Sequence, residues 1–118
     1  MKIYQELLPE SYLLILADDP DPTDVARLSY ALRRASRSGR PSIWVDCSQL
    51  PQLPLASLRV LLRFYQRLRH CHIPLVLCHL DGQAHQRLSR LPSDTRPPIM
   101  ASLLDAEHYC RYLYRKGG

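Results

Sequence analysis

Hydrophobic and polar positions along the chain alternate between two periods, and each change of period marks an element. Ile3 to Leu8 and Tyr12 to Ala17 are short β-prone runs separated by the turn Pro9-Glu10-Ser11, which predicts a hairpin. Asp18-Asp19-Pro20-Asp21-Pro22-Thr23 is dense in helix-start residues, with Asp21 or Thr23 available as N-cap. The following helix puts Val25, Leu28, Leu32 and Ala35 on its buried face and ends at Gly39 and Pro41. A near-continuous apolar strand over 42–47 comes next, interrupted only by Asp46. In a helix over 55–70, Leu58, Leu61, Leu62, Tyr65 and Leu68 then repeat at helical spacing, with Arg59, Arg63 and Arg67 on the opposite face. Ile73 to Cys78 is another buried strand, in which Pro74 must turn its missing donor away from the ladder. Asp81-Gly82 opens a short helix through Leu91, 92–98 is a Pro-marked loop, and Ile99 to Ala101 predict a last brief strand. Ser102 with Asp105 has capping-box spacing for a helix to about Tyr114.

The order ββαβαβαβα, with helices as crossovers, predicts an α/β fold with a mixed, mostly parallel, four-to-five-stranded sheet and about four helices. A chain of 118 residues, 46% hydrophobic, can bury one core and is expected to form a single domain over 1–118. Leu28, Leu32, Val45, Leu58, Leu61, Leu62, Val76 and Leu77 are expected to meet in that core. The strand-to-helix junction 44–62 is where a site is expected. It lies at the carboxyl edge of the sheet, where helix N–H groups are unpaired.

Residues at this junction resemble the STAS domain of bacterial anti-sigma factor antagonists. In that family a hydrophobic-hydrophobic-Asp-hydrophobic-Ser strand leads into an Asp-Ser-Ser-Gly-hydrophobic turn that opens a helix. Val45-Asp46-Cys47-Ser48 matches the strand, and Leu58, Val60, Leu61 and Leu62 match the helix. The element order extends the resemblance over nearly the whole chain. An ungapped alignment sets Pro54, Leu55, Ala56 and Ser57 on the tetrad, so Ala56 occupies the family's phosphoacceptor position.

The resemblance implies a STAS-like single domain that is no enzyme. It implies a protein-binding module in bacterial signalling, with a kinase-like anti-sigma factor as partner and phosphorylation control lost. The partner-binding residues expected at this edge are Leu53, Pro54, Leu55 and Ser57, with Arg59, Arg63 and Arg67 added by the unopposed stripe on the helix. Ser57 is the remaining phosphoacceptor candidate, because a phosphoryl group at a helix start would meet free amides. The preferred reading makes Ser57 a first-turn polar residue, and Ser48 is a lesser candidate. A homodimer stays open. An alternative function is a STAS-type accessory subunit of a membrane transport complex, docking its helix face on an ATPase.

Charge adds a second theme. Residues 1–24 carry a local net of −5, residues 25–45 a net of +5 from Arg27, Arg33, Arg34, Arg37 and Arg40, and 58–72 four further unopposed arginines. Such a surface suits an acidic partner, or is simply a solvated face. Nucleic-acid binding through the Arg stripe is a third and weaker reading, whose mark would be a steep fall of affinity with salt.

Other chemistry finds little support. No apolar run reaches the ~18 residues of a membrane span, so no membrane insertion is expected. The N-terminus lacks a signal-peptide pattern, so a cytoplasmic location with Cys47, Cys71, Cys78 and Cys110 reduced is expected. His70-Cys71-His72 with Cys78-His79 lacks the spacing of a zinc site, and no metal or cofactor is expected. Asp46 could suggest a phosphoaspartate with Asp18 and Asp19, but lysine occurs only at 2 and 116. Glycines fall at 39, 82, 117 and 118, so no phosphate loop exists.

Overall fold

In the computed structural model, which describes residues 1–18 and 24–117, five strands join in the order β1-β2-β3-β4-β5. Strands Lys2–Leu7 (β1) and Tyr12–Ala17 (β2) form the predicted antiparallel hairpin, and Leu8 N–H closes its turn on Ser11 O at 2.9 Å. Ile43–Gln49 (β3), Leu75–Cys78 (β4) and Ile99–Met100 (β5) then add in parallel. Three successive crossovers step in one direction, and right-handed connections of that kind deliver their helices to one face. These helices are Asp24–Ser36 (α1), Leu55–His70 (α2) and Gly82–Ser89 (α3). The last helix, Leu103–Gly117 (α4), returns across the opposite face. The predicted N-caps Asp21 and Thr23 lie outside the described residues.

Strand alternation splits the interior into two layers. Leu14, Leu16, Ile43, Val45, Leu75 and Leu77 face α1, α2 and α3 and meet Leu28, Leu32, Leu58, Leu61, Leu68 and Leu88 there. Leu13, Trp44, Val76 and Cys78 face α4 and pack on Ala106. Val76, expected in the first layer, belongs to the second, because it pairs with Trp44 while Leu77 pairs with Val45. Successive strand residues point to opposite faces, so the two neighbours cannot share a core. Leu62 is only half-buried, and Val25 is exposed at the first turn of α1.

Several boundaries move for local reasons. β4 starts after Pro74, whose carbonyl still accepts from Ile43 N–H at 2.9 Å, so the proline needs no ladder donor. β3 runs on to Gln49, and α3 stops at Ser89, short of Leu91. α1 is followed by Gly39 at φ 80°, a left-handed turn that glycine adopts without penalty. α2 is followed by His72 at φ 57°, and Ile73 N–H bonds back to Leu68 O at 3.0 Å. Ser102 Oγ accepts from Asp105 N–H at 3.1 Å, the capping contact expected for α4.

The thiols follow from this burial. Cys47 and Cys78 are buried, and burial, reinforced by the neighbouring Asp46, pushes both up to about 12 from 9.0. Their folded pKa lies above the unfolded one, so the stability they contribute is fully present below about pH 9 and lost as pH rises towards 12. Alkaline unfolding between those values is expected. In native protein a thiol reagent should modify exposed Cys71 first and leave Cys47 and Cys78 untouched until the chain unfolds.

Candidate functional site

The carboxyl ends of β3 and β4 and the starts of α2 and α3 gather at one edge of the sheet. Asp46 lies one residue before the end of the buried part of β3, and its Oδ1 accepts from Ser48 N–H at 2.9 Å. That contact gives a carboxylate held among apolar neighbours a hydrogen-bond partner. Leu50 N–H then bonds back to Cys47 O at 3.1 Å.

The loop 50–54 is fastened from the α3 side. Leu53 is 2% exposed and inserts into the first core layer. Its N–H donates to Asp81 Oδ1 at 2.9 Å, while Asp81 Oδ2 accepts from Ala84 N–H at 3.2 Å as the N-cap of α3. One carboxylate therefore starts a helix and locks the loop before another. Gln52 Nε2 also donates to Gln83 Oε1 across the same gap.

With Leu53 turned inward, the next residues turn outward. Pro54, Leu55 and Ala56 are exposed at the head of α2. Pro54 occupies the N-cap position without a side-chain cap, and the first turn holds no acid. The unpaired N–H groups there keep their positive character, and Arg59 stands exposed one turn on.

Two residues expected on the binding surface are not on it. Leu53 serves as the loop's anchor, and Ser57 is 0% exposed with no hydrogen-bond partner for Oγ. The helical phase explains Ser57, since three and four positions on it is followed by Val60 and Leu61 on the same buried side. The buried face of α2 is also wider than the predicted stripe. Val60 and Phe64 are covered because α1 packs beside α2, so the helix meets two neighbours rather than the sheet alone. Arg63 and Arg67 consequently border the groove between α1 and α2 rather than the side opposite the core.

An unpaired buried hydroxyl is a cost with no compensation. Ser57→Ala should therefore raise stability by about 1 kcal/mol, also helped by alanine's higher helix propensity. Urea unfolding followed by the fluorescence of the single tryptophan, Trp44, would measure it. A loss of stability would show that Oγ is satisfied after all.

At the opposite edge of the sheet, a groove of about 1030 Å³ opens between the loop after β1, the loop before β3 and α4, with Trp44 in its wall. The candidate metal set 70–72 with 78–79 does not assemble, since among the described residues no three His, Cys, Asp or Glu side chains converge on a common point. Among them, no helix is long and apolar enough to cross a membrane.

No protein-family profile and no curated protein matches the chain by sequence. Solved structures do match it. A point variant of RsbS from Moorella thermoacetica superposes with a TM-score of 0.80 over 98% of this chain and 99% of its own, at 14% identity. A chain in the stressosome, described as a signal integration and transduction hub, gives 0.73 over 95% and 99%, at 14% identity. An anti-sigma factor antagonist from Mycobacterium paratuberculosis gives 0.73 over 93% of each chain, at 19% identity. The five-stranded mixed sheet with four helices is the STAS fold.

Proposed function

We propose that this STAS-fold chain is a non-enzymatic, cytoplasmic protein-binding module of bacterial signalling, an anti-sigma factor antagonist whose partner contact is not controlled by phosphorylation. The observation that carries the reading is the head of α2. Pro54, Leu55 and Ala56 are exposed in succession, Leu55 to 42%, on a backbone that Leu53 and Asp81 hold from below. A fixed apolar projection beside an uncapped helix start and Arg59 fits a partner with an apolar pocket and an acidic rim. A kinase-like anti-sigma factor is the proposed partner, in line with the structural likeness to anti-sigma factor antagonists.

Two features support the loss of phosphorylation control. The exposed residue at the position that the resemblance gives to the acceptor is Ala56, which has no hydroxyl. The neighbouring hydroxyl, on Ser57, is enclosed and out of reach of a kinase in the folded state.

Leu55→Asp tests the surface. Leu55 is exposed, so stability should change by less than about 0.5 kcal/mol. Affinity for the partner that co-purifies with the parent chain should fall at least about tenfold, from loss of an apolar anchor and an added charge at the interface. Unchanged affinity would move the interface elsewhere.

A further inference from the structure

Two stretches that the sequence separates, the basic part of α1 and the Arg stripe of α2, meet across one groove. Ser29 and Arg33 lie four apart on α1, and Arg63 and Arg67 four apart on α2. Together with Val60 and Phe64 they line a notch of about 150 Å³. Val60 and Phe64 are buried and form an apolar floor. The Arg67 guanidinium sits 5.4 Å from the Phe64 ring centroid, which holds this long side chain in place.

Three guanidiniums around one small notch repel each other, and no acid among the described residues lines it. None of the three forms an ion pair among the described residues. Each presents a planar fork of N–H donors suited to a tetrahedral oxyanion, and Ser29 can add a hydroxyl. The volume equals that of about five waters at ~30 Å³ each, enough for one such ion with part of its hydration. A singly charged carboxylate would leave most of the positive charge unanswered.

We infer that the groove between α1 and α2 is a binding site for a phosphate group, as the free ion or as a small phosphate monoester. Arg33 and Arg63 bind it from opposite walls, and Arg67 closes the site from its place on Phe64. The site needs no partner protein, so it stands or falls separately from the surface around Leu55.

The test is a titration of the full chain with inorganic phosphate, and separately with methyl phosphate, at constant ionic strength and read by phosphorus NMR. Saturable binding of one equivalent is expected, weakened about tenfold by Arg63→Gln and by Arg33→Gln. Arg90→Gln removes the same charge from the far end of α3 and should leave binding unchanged. Tighter binding of the ester would identify a carried phosphate, and equal or tighter binding of the ion a free one. Absence of saturation, or equal weakening by Arg90→Gln and Arg63→Gln, would overturn the site and leave only a diffuse effect of net charge.

Discussion

Replacing Leu61 with alanine should destabilise the chain by about 2–5 kcal/mol, the largest loss expected from any single truncation considered. Leu61 is 0% exposed, in the middle of α2, within the layer between the sheet and the helices. Removing its branched end forfeits the transfer energy of the buried carbons. It also leaves a void that rigid strands on one side and α1 on the other cannot collapse to fill. A domain of this size is stable by only about 5–15 kcal/mol, so the loss is a large share of the total. In urea, the midpoint should fall with an unchanged slope, because the native state keeps its compactness. A loss below about 1 kcal/mol would mean that this side of α2 does not face the core.

Asp81→Ala should cost about 2–4 kcal/mol, an unusual figure for a half-buried polar residue. The cap of α3 accounts for about 1 kcal/mol. The rest comes from Leu53 N–H, which loses its carboxylate acceptor while its side chain stays in the core. Asp81→Asn keeps one acceptor oxygen and should recover roughly half of the loss. Asp81→Ala should also loosen the loop 50–54 and weaken the partner binding proposed for Leu55, although Asp81 itself is not part of that surface. Denaturant unfolding of Asp81→Ala and Asp81→Asn beside the parent measures the first effect. Equal stability of all three would show that the loop is held by Leu53 packing alone.

The element order and most boundaries were legible in the sequence, because periodicity and punctuation are local signals. The hairpin over 2–17, the helix over 55–70 and the cap at Ser102 all rest on residues within one turn of each other. What was not legible depends on contacts between distant segments. The division of Val76 from Leu77 follows from a two-layered interior, which a continuous apolar run conceals. Phe64 is buried only because α1 lies beside α2, which the periodicity of a single helix does not show. The inward turn of Leu53 depends on Asp81, 28 positions away, which pulls the loop against α3. The encounter of Arg33 with Arg63 and Arg67 likewise exists only once the two helices pack.

These contacts also changed the candidate site. The strand-to-helix junction was recognisable from Val45-Asp46-Cys47-Ser48 and the helix that follows. Within it, however, exposure divides the residues into an anchor, Leu53, an enclosed hydroxyl, Ser57, and a presented surface of Pro54, Leu55 and Ala56. Helical phase alone could have indicated that Ser57 shares a side with Leu61. It could not have shown that the hydroxyl finds no partner.

Whether the head of α2 binds a protein without a phosphorylation switch is decided by the identity of the bound protein. The tagged chain should be purified from its native cells, with and without prior incubation of the extract with ATP, and the bound proteins identified by mass spectrometry. A kinase-like anti-sigma factor is expected in equal amount under both conditions, with no phosphate on Ser57 or Ser48. A transport ATPase or nucleic acid in its place, or release of the factor on addition of ATP, would contradict the proposed function.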